Sequence, residues 1–216
     1  AIATIEDNHG LIFTYFRGDR AIEFSKAILE EEFPHFERHV RPQIMFVGMT
    51  QYDQDDEIPS EYLVGTPEVN EPFGKRILEL GLKQFRLSET QKYPHVTFFF
   101  SGGREHPFKL EKRLMIDSAK VSTYDLKPEM SAIEVTSNIV RELEKASADF
   151  ICLNYANPDM VGHTGNYKAI KKAVEVVDKC TQEVVEAALK NDYAIIIISD
   201  HGNADFAINY DGSANT

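Results

Sequence analysis

Two short clusters of acidic and histidine side chains near the C-terminal end have the residue types and spacing of metal ligands. His163 follows Asp159 by four residues, whereas Asp200 and His201 are adjacent and follow the apolar run 193–198. Each cluster offers one carboxylate and one imidazole, which bind Mn²⁺ or Zn²⁺ near neutral pH. The spacing predicts a two-metal site. Because a catalytic metal takes at least three ligands from the protein, each cluster supplies too few ligands for its metal.

Three basic side chains are candidates for binding an anion. Arg17 and Arg20 flank a glycine, and their guanidinium groups could converge on a phosphate or carboxylate. Surface arginines at a helix start are an equally good interpretation. Lys92 could bind a phosphate as a point charge, but its pattern is more typical of an exposed lysine in a connecting segment. No serine or threonine stands in a recognisable activated setting.

The elements that must position the acid–histidine clusters alternate between strands and helices. Buried strands are predicted at 150–154 and 193–199, and long helices at 131–145 and 166–190. This order predicts an α/β fold, a mostly parallel sheet with helices on both faces. Because functional groups gather at the carboxyl ends of such strands, both clusters are expected to meet in one crevice.

Shorter patterns predict the remaining elements. Asp19 is expected to cap a helix, and Ser131 with Glu134 forms a capping box. Gly81 is expected to stop a helix. Residues 93–100 are ambiguous, with a strand favoured by propensity. Further strands are predicted at 10–15, 44–49, 84–87 and 113–116, a helix at 72–79 and a linker at 65–70.

Composition limits the class of protein. The chain has 216 residues, 43% of them hydrophobic, and a net charge of -12, which argues against a surface for nucleic acid. Cys152 and Cys180 form no disulfide framework and are interpreted as reduced core residues of a cytosolic protein. No stretch reaches the ~18 apolar residues of a membrane helix. The sequence therefore predicts an ordinary globular protein that binds neither nucleic acid nor membrane.

Five longer motifs surround these residues: FRGDRA at 16–21, KYPHVTFFFSGGRE at 92–105, DLKPEMS at 125–131, NYANPDMVGHTG at 154–165 and DHGNAD at 200–205. They resemble the cofactor-independent (2,3-bisphosphoglycerate-independent) phosphoglycerate mutase family of the alkaline phosphatase superfamily. The resemblance runs through essentially the whole chain and is specific to that family.

The resemblance implies an enzyme of glycolysis and gluconeogenesis that interconverts 3-phosphoglycerate and 2-phosphoglycerate. Such an isomerase works through a phosphoserine intermediate with two divalent cations, expected to be Mn²⁺, with Mg²⁺ or Co²⁺ as alternatives, and without 2,3-bisphosphoglycerate. It would be a cytoplasmic monomer. Residues 1–65 would be the end of an inserted phosphotransferase domain with an α/β fold, 66–70 a linker, and 71–216 part of the metal-binding phosphatase-like domain.

The resemblance also implies roles for the candidate residues. Asp159 and His163 would bind one metal, and Asp200 and His201 the other. Lys92 would contact the phosphoryl group beside the metals.

Arg17 and Arg20 would hold the phosphoglycerate. By the same resemblance, the nucleophilic serine and one metal-binding aspartate would precede Ala1, and a third histidine of the first metal site would follow Thr216. The chain alone is therefore expected to be inactive and to bind metal weakly. The alternatives are a related metal-dependent enzyme such as a phosphopentomutase, disfavoured by the arginine motif and the Lys92 stretch, or a non-catalytic fragment.

Overall fold

The structure, a computed structural model, describes residues 4–53, 56–65 and 69–215, with only the backbone at Asp19. The chain divides into two compact units, one of Ala1–Glu71 with Gly102–His106 and one of Pro72–Ser101 with Pro107–Thr216. Residues 66–68 of the predicted linker lie outside the described residues. The assignment of residues 1–65 to an inserted domain stays a prediction.

The first unit is built around a pair of parallel strands and one helix. The ring of Phe13 packs against Phe24, Phe46 and Tyr52. The Tyr52 hydroxyl donates to the carbonyls of Phe13, at 3.0 Å, and Tyr15, at 2.6 Å, and so ties the end of the first strand. The elements are β1 (Gly10–Phe13), α1 (Gly18–Leu29) and β2 (Met45–Gly48), with β1 and β2 in parallel register.

The start of α1 differs from the prediction. Arg17 occupies the N-cap position and the helix begins at Gly18, so the prediction that Asp19 caps it is wrong. The true N-cap residue lies two positions before the predicted one and makes no side-chain capping hydrogen bond. A helix can begin without such a cap when its first N–H groups reach solvent or other acceptors.

A three-stranded parallel sheet forms the centre of the second unit. Its middle strand is fully buried and pairs with a neighbour on each side. The prediction of parallel strands is confirmed. The elements are α2 (Phe73–Glu79), β3 (Gln84–Glu89), α3 (Tyr93–Val96), β4 (Glu111–Ile116), α4 (Ala132–Glu144), β5 (Phe150–Asn154), α5 (Asn157–Gly162) and α6 (Tyr167–Lys190), with the sheet ordered β4-β3-β5.

Helices cover both faces of β3. Alternate side chains of the strand point to opposite faces, and each set contacts different helices. Phe85 and Leu87 join the main core cluster, to which α4 and α6 also contribute. On the other face, the Gln84 amide donates to the Gly74 carbonyl of α2, and Arg86 Nη1 donates to the Val96 carbonyl of α3. The predicted α/β fold class is confirmed.

The two long helices lie within a residue of their predicted bounds. Asn166 caps α6 by accepting from the Ala169 N–H at 3.4 Å. Ser131 stands at the N-cap of α4, but its side chain makes no capping hydrogen bond. Its hydroxyl donates to the Asp117 carbonyl at 2.8 Å, and its N–H donates to Glu89 Oε1 at 3.4 Å. The predicted capping box is therefore wrong. No helix among the described residues combines the length and apolarity that crossing a bilayer requires.

Residues 93–100 are not the strand that propensity favoured. Pro94 lies in the first turn of the short helix α3, where its missing N–H and fixed φ suit a helix start. Phe100 then packs with Phe150 of β5, and the Arg86 guanidinium lies 4.1 Å from its ring centroid. Tertiary packing thus overrides local β-propensity in this segment.

The apolar run before Asp200 contradicts the prediction most clearly. Residues 193–199 form no strand, and Ile196 and Ile198 are 88% and 82% exposed. Tyr193 and Ile195 pack against the main core cluster, so only the first part of the run is covered. An apolar β-branched run signals burial, but a strand also needs a neighbour that pairs with its backbone, and the described residues offer none here.

Candidate functional site

The candidate site lies beyond the carboxyl ends of β3 and β5, where a parallel sheet collects its functional groups. Lys92 ends the single 3₁₀ turn that follows β3. Asp159 stands in the first turn of α5, just after β5, and His163 is the C-cap residue of that helix. Because β3 and β5 are adjacent and parallel, their successors emerge at the same edge of the sheet.

Lys92 is the centre of the cluster. Its Nζ lies 2.6 Å from Asp159 Oδ2, 3.2 Å from His201 Nε2 and 3.9 Å from Asp200 Oδ2. The residue is only 4% exposed. The interpretation of Lys92 as an exposed lysine, drawn from pattern alone, is therefore wrong, since the turn after β3 directs its side chain into the acid–histidine cluster.

Both histidines lie beside Asp159, and His201 also lies beside Asp200. His163 Nε2 is 3.2 Å from Asp159 Oδ1. His201 Nε2 is 3.6 Å from Asp200 Oδ2 and 4.0 Å from Asp159 Oδ2. The structure thus brings both predicted pairs together, with Asp159 shared between them, although Asp200 does not follow the strand that was predicted to carry it.

Asp159 is held in its ionised form. Burial by itself raises the pKa of this carboxyl, but hydrogen bonds from Lys92 and Asn203 outweigh burial and keep the pKa below its ordinary value. A carboxylate must be deprotonated to bind a metal. Asp159 therefore meets this requirement at neutral pH through its contacts with Lys92 and Asn203.

The donor set fits a divalent cation in its chemistry. Two carboxylates and two imidazoles are the ligand types of Mn²⁺ and Zn²⁺, and the buried Lys92 ammonium marks a place where the cluster accommodates positive charge. Among the described residues, no group of three or more His, Cys, Asp or Glu side chains is arranged to hold a metal ion. The cluster supplies two donors from each pair.

Asn203 is a member of the site that sequence reasoning missed. Its Nδ2 donates to Asp159 Oδ1 at 2.7 Å and to the Asp159 carbonyl at 3.2 Å. The close approach depends on Gly162, because a Cβ there would lie 2.7 Å from Asn203 Oδ1. The sequence signal was its place in the DHGNAD motif, two residues after His201, which does not by itself indicate a contact with Asp159.

The two arginines belong to the first unit. Arg17 immediately precedes α1 and Arg20 lies in its first turn, and both are exposed. Each makes a contact with another group. Their expected role in holding a substrate stays a prediction.

The chain as a whole is similar to known proteins. A model of the metalloenzyme superfamily matches residues 17–212. The 2,3-bisphosphoglycerate-independent phosphoglycerate mutase of Parabacteroides distasonis is 47% identical over 215 residues, which is all of this chain and 42% of that protein. The enzyme of the same name from Clostridium acetobutylicum is 48% identical over 209 residues, 97% of this chain and 41% of that protein.

A solved structure agrees with these relatives. The phosphoglycerate mutase of Leishmania mexicana, in a crystal structure described as being at low cobalt concentration, superposes with a TM-score of 0.93 at 33% identity. The match covers 99% of this chain and 40% of that one. The chain thus spans about two fifths of the length of the relatives that it matches.

Proposed function

The chain belongs to the metalloenzyme superfamily, and from this premise we propose that it is the metal-binding part of a 2,3-bisphosphoglycerate-independent phosphoglycerate mutase. The whole enzyme, here called the intact protein, interconverts 3-phosphoglycerate and 2-phosphoglycerate and is an isomerase. Relatives that carry this name at 47–48% identity support the assignment. They favour it over the phosphopentomutase alternative.

One observation carries the proposal: the two acid–histidine pairs and a buried lysine converge at one edge of a parallel sheet. Asp159 with His163 is assigned to one divalent cation, and Asp200 with His201 to the other. Two donors per ion leave coordination positions for further ligands, which the intact protein would supply. We assign Mn²⁺ to these positions, with Mg²⁺ and Co²⁺ as alternatives.

In this proposal the metal ions, Lys92 and the two arginines each stabilise negative charge at a different part of the substrate. When bound, two divalent cations would stabilise the attacking and leaving oxygens of an in-line phosphoryl displacement. Lys92 holds a positive charge beside the same carboxylates and is placed to neutralise charge that develops on the phosphoryl oxygens. The guanidinium groups of Arg17 and Arg20 suit the carboxylate and phosphate of a phosphoglycerate.

The phosphoryl group passes first to a serine of the intact protein outside this chain, and the bound glycerate accepts it on its other hydroxyl. The substrate and product are therefore the only partners required, and 2,3-bisphosphoglycerate is not. We propose that the intact protein acts as a monomer in the cytoplasm, a location that the two free thiols of Cys152 and Cys180 support.

The proposal is tested by assaying the purified intact protein for conversion of 3-phosphoglycerate to 2-phosphoglycerate without 2,3-bisphosphoglycerate. We expect activity that EDTA abolishes and Mn²⁺ restores. Asp159→Asn and Asp200→Asn should each lower kcat by about 100-fold or more. The control is Asp178→Asn on the exposed side of α6. Activity that requires 2,3-bisphosphoglycerate, or that survives both EDTA and Asp159→Asn, contradicts the proposal.

A further inference from the structure

Asn203 connects the two acid–histidine pairs physically. It lies three residues after Asp200, yet its amide binds the carboxylate of the other pair, donating from Nδ2 to Asp159 Oδ1 at 2.7 Å. The second amide contact, to the Asp159 carbonyl at 3.2 Å, fixes the same side chain against the backbone of α5. One neutral side chain thus spans the two segments that carry the proposed ligands.

The two oxygens of Asp159 have different neighbours. Oδ2 faces the Lys92 ammonium at 2.6 Å, whereas Oδ1 lies next to the Asn203 amide and His163 Nε2. With a donor on each oxygen, the plane of the carboxylate cannot turn without breaking a hydrogen bond. Such outer contacts orient metal ligands and tune their affinity.

The segment that carries Asn203 packs against α5, and α5 leaves space for the Asn203 side chain. Ala207 is buried in a second apolar cluster that includes Val161 of α5, and Ala204 packs against the same cluster. Gly162, in the same helix as Asp159, leaves the space that Asn203 occupies, because a Cβ at Gly162 would lie 2.7 Å from Oδ1 and 2.9 Å from Cγ of Asn203. The fit of Asn203 over α5 therefore depends on the absence of a side chain at one defined position.

From this geometry we propose that Asn203 is a positioning residue that fixes the Asp159 carboxylate for metal binding, with Gly162 as the space that admits it. The proposal rests on the function proposed above, because it assumes that Asp159 binds a divalent cation. Asn203 itself touches neither substrate nor metal in this proposal. Its effect reaches the ion only through the orientation of Asp159.

The test compares three variants of the intact protein, Asn203→Ala, Gly162→Ala and the double variant. Mn²⁺ affinity is measured by the electron paramagnetic resonance signal of the free ion, which requires no turnover. We expect Asn203→Ala to weaken Mn²⁺ binding about ten-fold. Gly162→Ala should weaken it as well, since the new methyl displaces the amide. In the Asn203→Ala background the added methyl has nothing to displace and should cost little more.

This non-additivity distinguishes positioning from a general structural role, because an independent effect of Gly162 on helix stability would add to that of Asn203. The matched control is Asn138→Ala, which removes an amide that donates to the Glu134 carbonyl within α4. Thermal unfolding checks that each variant folds. If Asn203→Ala fails to fold, Gly162→Ala alone still moves the amide and serves as the second variant.

Two results would overturn the inference in different ways. Unchanged Mn²⁺ affinity in a folded Asn203→Ala or Gly162→Ala variant, or full additivity of the two changes, refutes the positioning role while leaving the proposed function intact. An Mn²⁺ affinity that Asp159→Ala does not alter refutes metal binding at Asp159, and with it both the proposed function and the inference.

Discussion

Lys92 shows how a single side chain can reverse the interpretation of a motif. An ammonium group that is 4% exposed is costly to bury unless opposite charge compensates it. Asp159 at 2.6 Å and Asp200 at 3.9 Å provide that charge. The lysine and the two carboxylates therefore compensate one another's charge, and removal of the lysine should leave Asp159 with one donor fewer.

Replacing this lysine should destabilise the fold in a metal-dependent way. We expect Lys92→Met to lower the free energy of unfolding by about 2 kcal/mol at pH 7, because it leaves a mostly buried carboxylate under-compensated. Added Mn²⁺ should restore part of the loss, since a bound cation supplies the missing charge. Urea unfolding with and without Mn²⁺ measures both effects. The control is Lys172→Met on the exposed side of α6, and a loss below about 0.5 kcal/mol would contradict the expectation.

For individual residues, the sequence indicated the proposed metal ligands but not the residues that hold them in place. Asp159 and His163, four residues apart, are predictable because that spacing brings two side chains to one side of a helix. Lys92 was located by resemblance, since its pattern favoured exposure. The contact of Asn203 with Asp159 could not be predicted, because membership in the DHGNAD motif carries no signal for a contact made 44 residues away along the chain.

Among the elements, those with strong internal periodicity were predictable. The apolar positions of α4 and α6 repeat at helical spacing, and their bounds agree with the prediction within a residue. The strands predicted at 84–87 and 150–154 correspond to β3 and β5. The apolar run at 193–199, by contrast, forms no strand, because pairing depends on a neighbouring backbone and not on the run itself.

The exposed part of the apolar run at 193–199 should promote self-association of the isolated chain. Ile196, Ile197 and Ile198 are contiguous and 88%, 67% and 82% exposed, and such apolar surface promotes association. We expect the double variant Ile196→Thr with Ile198→Thr to bind less of the dye 1-anilinonaphthalene-8-sulfonate. It should also remain monomeric at higher concentration, as measured by analytical ultracentrifugation.

A single exposed apolar residue provides the comparison for this prediction. Val174→Thr changes an isolated, 46% exposed valine of α6 and should alter neither dye binding nor association. Equal dye binding by the double isoleucine variant and the unchanged chain would show that the run is not an apolar surface in solution.

The C-terminal end of α4 should make stability depend on pH. The Ser147 hydroxyl donates to buried Glu142 at 2.6 Å, and Lys112 and Lys145 lie 3.3 and 3.4 Å from its other oxygen. The serine hydrogen bond, with help from the two lysines, outweighs burial and lowers the pKa of Glu142. A lowered pKa means that the stabilisation is present above the unfolded value, about 4.3, and is lost as pH falls through the folded value.

Glu142→Gln should therefore cost about 1 kcal/mol of unfolding free energy at pH 7. The cost should shrink steadily as the pH is lowered below about 4, which urea unfolding across a pH series measures. Glu175→Gln, on the exposed side of α6 and 3.9 Å from Lys171, should show little cost at any pH. A cost for Glu142→Gln that is constant with pH would mean that shape, and not charge, stabilises this helix end.

For the whole molecule, the predicted fold class is confirmed, whereas the division of labour between its units stays a prediction. The acid–histidine cluster with Lys92 lies in the second unit, and Arg17 and Arg20 lie in the first. Alternation of strands and helices was enough to predict a parallel sheet with helices on both faces. Alternation could not predict that the described sheet has three strands, because strand number depends on which apolar runs find partners.

The number of metal donors in the cluster predicts that the 216-residue chain cannot perform the proposed reaction alone. Each acid–histidine pair supplies two donors, fewer than the three that a catalytic metal takes from a protein. The proposed nucleophilic serine lies outside these residues. We expect no Mn²⁺-dependent conversion of 3-phosphoglycerate to 2-phosphoglycerate by the purified chain in an assay that readily detects the intact protein, and a Mn²⁺ affinity at least ten-fold weaker than that of the intact protein.

Isothermal titration calorimetry with Mn²⁺ measures the affinity, and a coupled assay of 2-phosphoglycerate formation measures the turnover of the same preparation. Asp159→Ala in the isolated chain serves as the control, because it should remove whatever weak binding the cluster retains. Weak binding that this substitution abolishes, without turnover, would mean that the cluster is partly organised before the remaining ligands join it. Robust turnover by the chain alone would instead show that 216 residues contain a complete active site, and the assignment of the nucleophile to another part of the protein would be wrong.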